Sequence, residues 1–244
     1  MSDDDFPQPD RLAGAPHPRE TAHLLGQDAA RDAFLAAYSS DRLHHGWLIS
    51  GPKGGGKATL AWQIARFLIA TPPAQDDGLF GAPPPPSSLQ IDAEHPVARR
   101  MMAGSEPSLF VLKRPYDEKL KRLKQDITVD EVRKLKGFFA LSAADGGHRV
   151  VIVDSADEMN VNAANALLKL LEEPPKATTL LLVSHQPSRL LPTIRSRCRE
   201  LRLSPLAPDQ VAQALAQAGQ DGTQAAALST LAGGSVGEAI TLLT

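Results

Sequence analysis

The chain is poor in the features that mark secreted, membrane-bound and broadly nucleic-acid-binding proteins. It has a single cysteine, so no internal disulfide can staple it, and a reducing, cytoplasmic setting is the default expectation. No apolar run reaches the roughly 18–20 residues that span a bilayer. The acidic, proline-containing start at residues 1–10 lacks the basic-then-apolar order of a signal peptide. Neither sign of charge dominates: 26 Lys+Arg against 28 Asp+Glu leave a net charge of -2. Any contact with nucleic acid would therefore rest on local patches rather than on global attraction. What is there is a chain of 244 residues, 42% hydrophobic and 22% charged, which fits a globular protein of one or two domains.

Residues 1–18 read as a loose tail, because prolines and aspartates there bury too little surface to offset ordering entropy. Small apolar residues between Gly26 and Tyr38 recur at helical spacing. The strand Trp47-Leu48-Ile49 then runs into Gly51-Pro52-Lys53-Gly54-Gly55-Gly56-Lys57, and Leu60, Ile64, Phe67 and Leu68 follow at helical spacing until Pro72 and Pro73. Residues 74–106, with four consecutive prolines at 83–86, read as a long loop or insertion rather than a core element.

Order returns at Ser108–Leu112, and Thr128 with Glu131 has capping-box spacing ahead of a helix from Val129. A Gly146-Gly147 turn ends that region. Val150–Val153 and Thr179–Val183 are apolar, β-branched runs suited to strands buried on both faces, with a helix from Ala163 to Leu171 between them. Glu200–Leu203 is a last strand, Pro205 and Pro208 bracket a hinge, and an alanine-rich helical stretch runs to Thr244. Alternating strands and helices predict an α/β fold with a parallel sheet covered on both faces, followed by a small helical appendage.

Gly51 to Lys57 matches GxxxxGK in its proper context, a strand before it and a helix after it. Glycines let backbone N–H groups converge on phosphate oxygens, the helix N-terminus adds its dipole, and Lys57 would reach the β/γ-phosphates. The candidate nucleotide-binding residues are Gly51, Gly54, Gly56, Lys57 and Asp154, the last closing a strand as a magnesium-holding carboxylate would. Two positions speak against turnover. Ala58 stands where a hydroxyl would ligate Mg²⁺, with Thr59 roughly 100° around the helix. Ser155 stands where a water-polarising Glu often follows the strand-end Asp. Cys198 has no His or metal-ligand partner in sequence and reads as a small buried hydrophobe.

Two strings carry a resemblance: Asn165-Ala166-Leu167-Leu168-Lys169-Leu170-Leu171-Glu172-Glu173-Pro174-Pro175, and Leu190–Cys198 with its Ile194-Arg195-Ser196-Arg197-Cys198. With the glycine loop, these residues resemble the clamp-loader branch of the AAA+ ATPases, and within it the delta-prime family of bacterial DNA polymerase III, from about Gly26 to Thr244. The resemblance implies a five-stranded parallel sheet in the order 5-1-4-3-2 over residues 19–205 and a helical lid over 206–244. It also implies a third, all-helical collar domain, absent from this chain, so that assembly from this chain alone is open. Ser196 and Arg197 lie in the motif that carries the family's arginine finger, directed into a neighbour's ATP site. Ser184 lies where the family places a γ-phosphate sensor, and Gly237 where active members carry a lid arginine. The cysteines of a zinc module found in bacterial relatives are missing from 71–106, His95 alone is no zinc site, and no zinc is expected.

By that resemblance the chain is a non-hydrolysing clamp-loader subunit, part of the DNA-directed DNA polymerase III holoenzyme, a nucleotidyltransferase complex. Its partners would be gamma/tau-like ATPases and a delta-like subunit in a hetero-pentamer, with the sliding clamp and primer-template DNA reached through the complex. No cofactor is required, and binding of ATP, ADP or an anion at the degenerate site would be weak or lost. The alternatives are an ATP-hydrolysing gamma/tau-like motor subunit and, from another class, a small-molecule P-loop kinase, for which no substrate lid or catalytic charge follows Asp154.

Overall fold

The computed structural model describes residues 8–21, 23–40, 43–71, 85–141, 147–220 and 225–243. In chain order the elements are α1 (Asp28–Ser39), β1 (Gly46–Ser50), α2 (Lys57–Ala70), α3 (Pro96–Met102), β2 (Leu109–Lys113), β3 (Tyr116–Asp117), β4 (Arg122–Leu123), α4 (Val129–Leu141), β5 (Arg149–Asp154), α5 (Val161–Glu172), β6 (Thr178–Ser184), α6 (Pro192–Arg195), β7 (Arg199–Arg202), α7 (Pro208–Gln217), α8 (Ala225–Leu231) and α9 (Val236–Leu243). Five strands form one sheet in the order β2-β5-β6-β1-β7, with β3 and β4 as a separate hairpin. Every pairing in the large sheet is parallel. Counted in chain order, its strands read 5-1-4-3-2, as the resemblance implies.

The apolar runs explain the layering. Successive side chains on a strand point to opposite faces, so Val150 and Ile152 join a core with α1, α2 and α3. Val151 and Val153 join a second core with α4 and α5. Each Val, Leu or Ile withdrawn from water in this way contributes about 1.5–3 kcal/mol. Asn160 starts α5 by accepting a hydrogen bond from the Ala163 N–H at 2.9 Å, the usual reward for an Asn at a helix N-cap. A third, smaller core of Leu206, Val211, Leu215, Leu228, Ala232, Ala239 and Ile240 holds α7, α8 and α9 together. Among the described residues no helix is long and apolar enough to cross a membrane.

Two expectations change. The 74–106 stretch is not all loop: α3 lies within it, and Leu89, Val97 and Met101 are buried in the core against α2. His95 caps α3 through its ring nitrogen, which accepts from the Val97 N–H. Residues 8–18 of the presumed tail are also packed, with Asp10 and His17 buried and paired to one another. Residues 1–7, 72–84 and 142–146 lie outside the described residues, and with them part of the expected tail, of the insertion and of the Gly146-Gly147 turn.

Because all five strands run the same way, the sheet has two chemically distinct ends. The glycine loop, Asp154 and Ser184 follow the carboxyl ends of β1, β5 and β6, the edge where ligands bind in open parallel sheets. Arg197 precedes β7 and belongs to the opposite end. A Cβ built on Gly46, the first residue of β1, would stand 3.2 Å from the Arg197 carbonyl oxygen.

Candidate functional site

The glycine loop is folded as its sequence demands. Gly54 and Gly56 have φ of +71° and +90°, left-handed conformations that a residue with a Cβ adopts only under strain. A Cβ on Gly54 would lie 2.5 Å from Ser235 Oγ and 2.7 Å from Gly237 Cα. The start of α9 therefore packs directly on the loop. The contact is sealed by hydrogen bonds from the Gly237 N–H to the Gly54 carbonyl at 3.1 Å and from Ser235 Oγ to the Lys53 carbonyl at 2.6 Å. Behind the loop, the buried Gln27 side chain donates to the Ser204 carbonyl at 2.8 Å and accepts from the Ser204 N–H at 3.1 Å. That pair pins the segment leading from the sheet into α7.

Lys57 is only 3% exposed. Its ammonium donates to the carbonyls of Gly51 at 2.9 Å and Pro52 at 2.5 Å, so the group expected to meet phosphate is spent on its own loop. Burial brings its pKa down to about 8, against the pull of the Asp154 and Asp157 carboxylates. Asp154 is buried as well, and burial together with the nearby Asp10 pushes its carboxyl up to about 7, while a hydrogen bond from Ser155 acts the other way. Ser155 Oγ lies 3.2 Å from Asp154 Oδ1 and 3.0 Å from His185 Nε2. The His185 ring, brought down to about 4 by burial and by the neighbouring Lys57, is neutral at pH 7. Ser184 Oγ and His185 Nδ1 are buried without a hydrogen-bond partner among the described residues.

These residues do not fit a magnesium nucleotide as arranged. Ala58 offers a methyl where the metal needs oxygen, and Asp154 has lost most of its tendency to ionise below neutrality. Lys57 is turned inward, and Gly237 covers the loop at the position where the resemblance puts an arginine in active members. The glycine loop, Asp154, Ser155 and Ser184 lie together at the carboxyl end of the sheet. Sequence reasoning missed Gln27, Asp10, His17 and His185, whose contacts link residues far apart in the chain and leave no local pattern.

Arg197 is kept apart from that group. Its guanidinium donates to the Thr193 carbonyl at 3.1 Å and pairs with Glu172 at 2.9 Å. Its side chain is 38% exposed and that of Glu172 43%. The neighbouring Ser196 hydroxyl donates to the same Thr193 carbonyl at 3.1 Å, which closes the tight turn after α6. Five strand residues at about 3.3 Å each separate the two ends of β1 by roughly 15 Å, so Arg197 cannot reach its own glycine loop. Glu172 lies inside the recognised leucine-rich string, yet only the fold reveals it as the arginine's partner. Burial pushes the Cys198 thiol up to about 12, and its partly buried side chain packs against the core of α4 and α5.

Comparison with known proteins adds to this geometry. Residues 26–207 match the family model described as DNA polymerase III, delta subunit. The chain is 46% identical over 154 residues to DNA polymerase III subunit delta' of Pseudomonas aeruginosa, across 63% of this chain and 41% of that protein. It is 28% identical over 207 residues to subunit gamma/tau of Mycobacterium tuberculosis, across 82% of this chain and 31% of that one. The chain thus spans less than half the length of the curated relatives it matches. Among solved structures, the RuvB Holliday junction branch migration motor of Thermotoga maritima superposes with a TM-score of 0.54 at 16% identity, covering 92% of this chain and 64% of RuvB. That likeness is one of fold, a P-loop α/β core with a helical unit behind it.

Proposed function

This chain belongs to the DNA polymerase III delta-prime family, and from that premise we propose that it is a clamp-loader subunit that does not hydrolyse ATP itself and instead presents Arg197 to the ATP site of a neighbouring subunit. The observation that carries the reading is the separation of the two ends of the sheet. The glycine-loop end is closed on itself, whereas Arg197, at the other end, is half-exposed and too far away to serve its own loop. A guanidinium is always charged and offers a planar fork of donors. Placed against a γ-phosphate, it stabilises the charge that develops as the phosphoryl group leaves. Ser196 is a positioning residue in this account, since its hydroxyl shares the Thr193 carbonyl with Arg197 and fixes the turn.

Under this reading no nucleotide or zinc is needed by the chain itself. Its partners are gamma/tau-like ATPases and a delta-like subunit, with the sliding clamp and primed DNA engaged through the assembly. The match to gamma/tau proteins favours a second reading, an ATP-hydrolysing motor subunit. Ala58, Ser155, Gly237 and the inward-facing Lys57 weigh against it.

Phosphate release by the chain alone, and by the chain mixed with an ATP-competent gamma/tau-like subunit, separates the two. The first reading expects no turnover alone and a gain over the partner's own rate in the mixture. Steady turnover by the lone chain would establish the motor instead.

A further inference from the structure

At the arginine end of the sheet, the end of α5 and the turn after α6 converge on His45 and Gly46, where β1 begins. The half-buried His45 ring turns toward α5, and its Nε2–H donates to the Leu171 carbonyl at 2.9 Å. A carbonyl only accepts, so this bond fixes the proton on Nε2. Leu171 is the next-to-last residue of α5, and the final carbonyls of a helix have no partner one turn further on. The imidazole supplies one. Glu172, next in the chain, is the residue that pairs with Arg197. A Cβ on Gly46 would stand 2.8 Å from Leu171 Cδ2, 3.2 Å from the Arg197 carbonyl oxygen and 3.3 Å from Cys198 Sγ. The bare backbone at that position therefore lets the end of α5 and the arginine's turn close on β1 together. Leu171, Ile194 and Cys198 share one core. His45 is itself anchored: its carbonyl accepts from the Leu180 N–H at 2.7 Å, and its ring stacks on His44 with centroids 4.5 Å apart. The His44 carbonyl in turn accepts from Trp47 Nε1 at 2.8 Å.

We propose that His45 is a positioning residue for Arg197: by holding the Leu171 carbonyl it fixes the end of α5, with Glu172 on it, against the turn that presents the guanidinium to a neighbour's γ-phosphate. This deepens the arginine reading above and rests on it. The Glu172–Arg197 pair is exposed, and exposed pairs hold their geometry weakly, so the placement of the guanidinium must come from the backbone beneath it. That backbone is set by the His45 bond and by the close approach at Gly46. Accuracy matters there, since a displacement of about 1 Å at a reacting centre can cost about 100-fold in rate. Burial brings the His45 ring below its ordinary range, against the pull of the Leu171 carbonyl, so at pH 7 it acts as a neutral donor.

The test sets three variants of His45 beside Arg197→Ala in the complex reconstituted with an ATP-competent gamma/tau-like subunit. His45→Phe keeps a ring and removes the donor. His45→Asn keeps an amide too short to reach Leu171, and serves should the first variant not fold. His45→Gln puts an amide N–H close to the place of Nε2. ATP turnover at the partner's adjoining site is expected to lose about tenfold or more in kcat for His45→Phe and His45→Asn, and to return to within about threefold for His45→Gln. KM should stay within about twofold throughout, because the partner binds its own nucleotide. In the full chain alone, amide exchange at residues 195–198 is expected to quicken about tenfold in the first two variants and not in His45→Gln, while β5 and β6 stay protected. Unaltered turnover in His45→Phe and His45→Asn where Arg197→Ala is slow would overturn the proposal. So would a His45→Gln no better than the other two, or unchanged exchange at 195–198. Should Arg197→Ala itself leave turnover unaltered, the arginine-finger reading falls, and the exchange measurement still decides whether His45 holds the arginine's turn.

Discussion

The two ends of the sheet treat their cationic side chains in opposite ways. At the carboxyl end, Lys57 is buried and bound to two carbonyls of its own loop. At the other end, Arg197 is held by one exposed glutamate and one carbonyl. A buried lysine with satisfied donors is a structural part, and displacing it leaves carbonyls unpaired at a cost of about 1–3 kcal/mol. An exposed ion pair is worth about 0–1 kcal/mol and can be exchanged for another partner almost freely. On the proposed reading, the comparison teaches that a phosphate-binding sequence can survive as architecture while the group offered for chemistry lies elsewhere on the same sheet.

The strongest way to break this contrast is at the loop itself. Gly54→Ala must place a methyl in the left-handed region and against Ser235 and Gly237, and is expected to cost about 2–4 kcal/mol in urea denaturation. A loss under about 1 kcal/mol would mean that the helical unit is not seated on the loop as described.

A smaller effect is read through pH at the end of the sheet opposite the glycine loop. His148, just ahead of β5 and hydrogen-bonded to Thr179 Oγ1 at 2.8 Å, is brought down to about 4 by burial. The unfolded chain therefore binds more protons between about pH 6.5 and 4, and stability falls as the pH falls through that window. Asp154, raised to about 7, works the other way over much of the same range, since protonating it favours the fold, whereas His185 beside it, brought down to about 4, adds to the loss in acid. His148→Asn should accordingly flatten the acid-side loss by about 2 kcal/mol, measured as denaturation midpoints across pH 4–7. An unaltered slope would show that His148 does not titrate as its burial implies.

The smallest effect belongs to the exposed end. Glu172→Gln should change stability by less than about 0.5 kcal/mol, because both partners keep water. A loss of more than about 2 kcal/mol would mark the pair as structural rather than available.

Much of this was legible in the chain. The apolar runs at Val150–Val153 and Thr179–Val183 could only be buried strands, and the glycine loop and the Ile194–Cys198 string announced their own places. The seven-residue helix α3 was hidden because it is too short for a periodicity to stand out beside a proline run. Asp10 and Lys113 meet across a sequence separation of 103, and Gln27 and Ser204 across 177. No local pattern encodes such pairs, since their stability comes from burial that exists only once the sheet has formed. For the same reason, the inward turn of Lys57 was invisible in a motif that otherwise reads as a phosphate site.

The contrast between the two ends is tested most directly by placing Lys57→Met and Arg197→Ala side by side in a reconstituted complex with an ATP-competent gamma/tau-like subunit and following ATP turnover. The account predicts that Lys57→Met leaves the rate within about twofold, whereas Arg197→Ala lowers the contribution of the partner's adjoining site by about 100-fold or more, in line with the loss of an arginine finger. The reverse result, a large loss on Lys57→Met with assembly intact and no change on Arg197→Ala, would contradict it.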